Sequence, residues 1–121
     1  MNYLKLLENL ETDLDLSNSN FETVKFFRKN IASVWLWYIV LISHYKKTKI
    51  TTEIILSKIQ KEHASRVTIF KIINYACKKK FFFKEKDKND KRKIIISPTK
   101  KTIEEFEKWS LFFSRDFNLF Q

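Results

Sequence analysis

The sequence predicts a mostly helical domain that carries one small β-hairpin. Two observations lead there. Apolar residues recur at steps of three and four over most of the chain, and one stretch near residues 81–97 switches to aromatic and β-branched runs around a polar turn. A length of 121 residues suits a single domain with its own core, and a hydrophobic content of 44% excludes a disordered chain.

Tyr3, Leu7, Leu10 and Leu14 fall on one face of a first helix, with Glu8, Glu11, Asp13 and Asp15 off that stripe. Ser17-Asn18-Ser19-Asn20 reads as a loop, and Asn20 is placed to cap the next helix. From Phe21 to Tyr45 the pattern is helical, with a break near Asn30. Its second part, Ile31 to Ile42, is apolar nearly all round and predicts a helix at the centre of the fold. Twelve apolar residues are well short of the roughly twenty that cross a bilayer. Lys46 to Lys49 form a basic connection. Thr51 or Thr52 then caps a helix with Ile55, Leu56 and Ile59 on one face, ending near His63.

Ser65 reads as the N-cap of the next helix, Arg66 to about Lys79, with Ile69, Ile72, Ile73 and Ala76 turned inward. Two short helices joined by a tight turn make a helix-turn-helix. Phe81 to Lys86 suits a strand, Asp87 to Asp90 a turn, and Lys91 to Ser97 a second strand. Pro98 ends it, and Thr99 or Thr102 caps a last helix with Ile103, Phe106, Phe113 and Phe117 on one face and Trp109, Phe112 and Phe120 beside it. Helix, helix, hairpin, helix is the order of a winged helix-turn-helix. The expected layout is an N-terminal dimerisation or packing region over 1–30, a winged-helix core over 31–100 and a C-terminal dimerisation helix over 101–121.

The formal net charge is +10, and it is not spread evenly. Residues 46–101 hold 18 basic and 5 acidic residues, a net of +13, and the rest of the chain is net acidic. A lysine-rich coding bias, as in an AT-rich bacterial genome, would scatter the charge. Its concentration reads as the footprint of a polyanion. With no glycine, glycine-rich phosphate loops are excluded. Cys77 is the one cysteine, so no disulfide closes within the chain, and His44 and His63 do not complete a zinc site. No metal, cofactor or catalytic constellation is expected. Lack of an export signal at the N-terminus fits a cytoplasmic protein with no membrane attachment.

Residues 50–102 resemble the DNA-binding domain of the MarR family of transcriptional regulators. Asp87-Lys88-Asn89-Asp90-Lys91-Arg92 matches that family's D-x-x-D-x-R wing motif. Ser65 to Ile73 is similar to its recognition helix, and Ile94 to Thr99 to its second wing strand and the start of the next helix. The resemblance implies a dimer in which terminal helices of two subunits pack together. Where the family usually has glycine between recognition helix and wing, this chain has Lys80, so that turn is expected to be built differently. Ala76 replaces a large apolar residue, and Phe81 to Phe83 are expected to fill that volume.

The residues carry a physical reading beside the resemblance. A helix opening on Ser65, Arg66, Val67 and Thr68 suits entry into a major groove, where Arg66, Thr68 and Lys71 reach base edges and Val67 or Phe70 touches a thymine methyl. For Phe70, core packing is an equal alternative. Arg92 suits a narrow minor groove, and Lys88 and Lys91 add phosphate contacts. Asp87 and Asp90 would repel phosphate, so their expected work is to close the wing turn and hold Arg92. Leu7, Leu10, Leu14, Phe106, Trp109, Phe113 and Phe117 are the expected homodimer surface. The function expected is sequence-specific binding of double-stranded DNA by a transcriptional regulator that is not an enzyme, with a small-molecule effector left open. Two alternatives use the same fold: a replication-associated protein that binds DNA without sequence preference, and a protein–protein module that has lost DNA binding.

Overall fold

The computed structural model describes residues 2–15 and 20–117, with side chains as far as residue 111. The Ser17 to Ser19 loop, the Phe120 position and the Phe112, Phe113 and Phe117 side chains therefore lie outside the described residues. The elements run α1 (Tyr3–Leu14), α2 (Glu22–Phe27), α3 (Ile31–Lys46), β1 (Ile50–Thr51), α4 (Thr52–Lys58), α5 (Arg66–Lys78), β2 (Phe82–Lys86), β3 (Ile94–Pro98) and α6 (Lys100–Phe117). The fold is mostly helical with a three-stranded antiparallel sheet in the order β1-β3-β2.

Local chemistry sets most of the boundaries. The Asn2, Asn30, Thr51 and Ser65 side chains accept hydrogen bonds from Lys5, Ser33, Ile54 and Thr68 backbone N–H groups at 3.1, 2.9, 3.3 and 3.2 Å, which caps α1, α3, α4 and α5. The Asn20 cap does not form. Phe21 occupies the cap position of α2 and its side chain makes no capping hydrogen bond, so Glu105 of α6 takes over. Its Oε1 accepts from Thr23 N at 2.9 Å and from Thr23 Oγ1 at 2.8 Å. A carboxylate satisfies two donors at the positive end of α2 and ties α2 to α6 in the same stroke.

Four further expectations are corrected. Helix α4 stops at Lys58 rather than near His63, because Ile59 turns extended and buries itself in the core. The Lys46–Lys49 connection leads into a strand, β1, paired to the centre of the sheet through Ile50 and Ile96. Strand β3 begins at Ile94, since Lys91 to Lys93 belong to the wing turn closed by Lys93 N donating to Asp90 O at 2.9 Å. Thr99 ahead of α6 and Thr102 in its first turn do not cap it with their hydroxyls. They donate backward, Thr99 Oγ1 to Lys80 O at 2.8 Å and Thr102 Oγ1 to Phe81 O at 2.6 Å.

The core lies between α3, α5 and the sheet, and α2 and α6 close it. Leu36, Trp37 and Val40 of α3 are fully buried, but Tyr38, Ile42 and Tyr45 on its other side are exposed. The helix is therefore central on one face only. Phe27 stacks on Trp37 with ring centroids 5.9 Å apart and on Phe82 at 4.8 Å. Ala76 is fully buried, and Phe81 and Phe82 fill the space around it while Phe83 points out. Phe106 and Trp109 of α6 sit against Trp37, with centroids at 5.6 and 5.5 Å.

Candidate nucleic-acid interface

The α5 N-terminus and the wing turn are built from the same segment that carries the positive charge. Ser65 holds an extended backbone and closes the first turn of α5, and its Oγ lies 3.0 Å from Thr68 Oγ1. That leaves Arg66, Val67, Thr68 and Lys71 exposed along the outer face of the helix, while Ile69, Ile73 and Ala76 bury its inner face. Val67 is 62% exposed, an unusual position for a β-branched apolar side chain and a suitable one for a methyl contact. Phe70 is half-buried. Its ring underlies the Arg66 guanidinium, with 5.5 Å from Arg66 Cζ to the ring centroid.

In the wing turn both aspartates act on the backbone. Asp87 Oδ1 accepts from Asn89 N at 3.0 Å, and Asp90 Oδ1 accepts from Arg92 N at 3.1 Å. Asp90 also takes Arg92 in a two-point grip, with Nε donating to Oδ1 at 3.1 Å and Nη2 to Oδ2 at 3.3 Å. The side-chain bonds from Arg92, followed by its backbone N–H, hold the Asp90 carboxyl below the usual aspartate range. The Arg92 side chain remains 91% exposed at the wing tip, with Lys88 and Lys91 exposed beside it. The grip thus orients the guanidinium without covering it.

Helix α5 and the wing are joined at Lys80. The α5 C-terminus closes with Lys80 N donating to Cys77 O at 3.1 Å and Phe81 N donating to Ala76 O at 2.9 Å, and Lys80 itself has φ 64°. The turn is therefore built as glycine would build it, against the expectation of a different geometry. The Thr99 hydroxyl on the Lys80 carbonyl is its support. Lys84 Nζ donates to Asn74 Oδ1 at 3.1 Å and adds a second tie between wing and helix. At the start of α5, Arg66 Nη2 donates to Glu53 Oε1 of α4 at 2.9 Å. These contacts of Glu53, Thr99, Thr102 and Asn74 were not legible in the sequence, because each is made with a residue at least ten positions away.

Away from this face, the residues expected at a dimer surface divide. Leu7 and Leu14 of α1 are 62% and 71% exposed, and Leu10 is half-buried. Phe106 and Trp109 are half-buried against their own chain. The Trp109 indole N–H donates to Asp13 Oδ1 at 2.8 Å, and Arg28 Nη1 pairs with Asp13 Oδ2 at 2.6 Å, so α1 is clasped to α2 and α6. An apolar groove of about 520 Å³ opens between α3 and α6, with Tyr38, Ile42, Tyr45, Phe106 and Trp109 in its wall. Partial desolvation in the groove of an otherwise exposed side chain, then the hydrogen bond to Glu107 Oε2 at 2.7 Å, pushes the Tyr45 hydroxyl up to about 12. Among the described residues no cluster of acidic, histidine or cysteine side chains could hold a metal ion, and no helix is long and apolar enough to cross a membrane.

No protein-family model and no curated protein sequence matches the chain. Solved structures do match it. A mutant of MepR from a multidrug-resistant S. aureus clinical isolate superposes with a TM-score of 0.62 at 18% identity, over 93% of this chain and 75% of that one. The heme sensor protein PefR from Streptococcus agalactiae gives 0.55 at 14% identity, over 94% and 75%. A MarR-like transcription regulator from Bacillus cereus gives 0.52 at 17% identity, over 98% and 76%. Across nearly its whole length, then, the chain has the winged helix-turn-helix fold of MarR-like transcription regulators.

Proposed function

We propose that this protein is a transcriptional regulator that binds double-stranded DNA in a sequence-specific way, as a homodimer in the cytoplasm. The observation that carries this reading is the exposed, basic pair formed by the α5 N-terminal turn and the wing tip on a MarR-like winged-helix frame. In it α5 enters the major groove through Ser65, Arg66, Val67, Thr68 and Lys71, and Arg92 enters the minor groove. Lys88 and Lys91 neutralise phosphates. The exposed Tyr3, Leu4, Leu7 and Leu14 face of α1 supports a two-fold contact with a second copy, in which the acidic chain ends meet and the +13 segments stay apart.

Fluorescence anisotropy on duplex DNA at a series of salt concentrations tests the reading. Affinity should fall steeply with salt, and Arg92→Ala should weaken binding by about 1–3 kcal/mol at matched salt. Salt-independent binding, or an Arg92→Ala variant that binds like the parent, contradicts it.

A further inference from the structure

We infer that Glu53 is a specificity-determining positioning residue. Its carboxylate and the Phe70 ring together hold the Arg66 guanidinium in one orientation, so that Arg66 is presented to a single base pair. The inference rests on the DNA-binding reading of α5.

Arg66 Nη2 donates to Glu53 Oε1 at 2.9 Å, from the first turn of α5 to the first turn of α4. The two side chains are 62% and 66% exposed, and an ion pair so open to water does little for stability. Stability therefore does not explain it. Nor does phosphate attraction, because a carboxylate beside a DNA-facing arginine opposes the field of a segment that carries only five acidic residues among 18 basic ones. What the pair does supply is order. Phe70, one turn further along α5, supports the flat face of the guanidinium, and Glu53 fixes its rotation about that face. One hydrogen of Nη2, together with Nη1 and Nε, is left with no partner among the described residues. Those donors are enough for the two acceptors on a guanine edge.

The wing repeats the design. Arg92 is gripped by Asp90 and is also exposed. Among the described residues the lysines of the same face, Lys71, Lys88 and Lys91, form no ion pair. Carboxylates thus accompany the two arginines, whose planar forks need orientation, and not these lysines, which act as point charges.

Glu53→Gln tests the inference, since it removes the charge, keeps the shape and leaves an exposed position on an intact helix. Affinities at matched salt would be compared for the parent's preferred duplex and for the duplex altered at the base pair whose preference Arg66→Ala abolishes. Glu53→Gln should shrink that ratio by roughly tenfold, and bind random duplex at least as tightly as the parent. Equal tightening on both duplexes, with the ratio intact, would show Glu53 to be only a repulsive charge and overturn the inference. So would an Arg66→Ala variant with unchanged base preference, although the parent would then still be a DNA-binding protein. A parent with no base preference would remove the regulator reading as well. In the free protein, hindered rotation about the Arg66 Cζ–Nη2 bond should give a resolved Nη2–H NMR signal at low temperature in the parent, and that signal should merge with Nη1 in Glu53→Ala, which removes the acceptor that Gln would keep. Identical signals in the two would rule out the clamp without reference to DNA.

Discussion

Thr99 and Lys80 are joined by a 2.8 Å hydrogen bond from the threonine hydroxyl to the lysine carbonyl, and Lys80 holds its backbone at φ 64°. A side chain with a Cβ costs about 1–2 kcal/mol in that region. The chain has no glycine to place there, and Lys47 at the end of α3 stands in the same conformation at φ 59°. Lys80→Gly should therefore raise stability by about 1 kcal/mol in urea unfolding, after the greater freedom of glycine in the unfolded chain is allowed for. A loss of stability would mean that the lysine side chain makes up for its own strain.

The Asp13 carboxylate receives Trp109 and Arg28 together. Both ion-pair partners are about four-fifths buried, so this clasp counts for more than a surface pair. Asp13→Ala should cost about 1–3 kcal/mol. Hydrogen exchange would locate the loss, with α1 amides losing protection ahead of those in α3. Uniform loss across both helices would show that α1 is not held separately.

Asp90 should titrate below an unpaired aspartate, because Arg92 favours its charged form. A folded pKa below the unfolded one gives stability that is present above the ordinary aspartate range and is lost as pH falls through the depressed value. NMR titration of the Asp90 carboxyl carbon gives the midpoint. It should move up in Arg92→Ala, and a midpoint that stays put would remove the two-point grip in solution.

Light scattering at micromolar concentration should return twice the 14.7 kDa mass of one chain. Leu7→Glu changes an exposed α1 position and should give a folded monomer. A parent at the single-chain mass contradicts the dimer.

Elements whose signals are local were legible in the sequence. The break at Asn30, the Ser65 cap of α5, the helical spacing of the inward stripe of α5 and the wing turn at Asp87 and Asp90 are of this kind. Features set by partners far along the chain were not legible. Glu105 caps α2 across 82 positions, which no local pattern signals, and so displaces Asn20. Ile59 leaves its helix because the core takes it, and β1 is two residues that exist only through pairing with β3. At the interface, Arg66 could be picked out by its place after a cap. Its carboxylate partner 13 positions earlier could not.

In the proposed assembly, α5 and the wing of two copies of this chain read one DNA sequence. Selection of bound sites from random duplex DNA at fixed salt is the decisive experiment. The expected result is an enriched, two-fold-related pair of half-sites roughly one helical turn apart, with preference at one base pair lost in Arg66→Ala. A selection that enriches no sequence, or a parent pattern that Arg66→Ala reproduces in full, would contradict it.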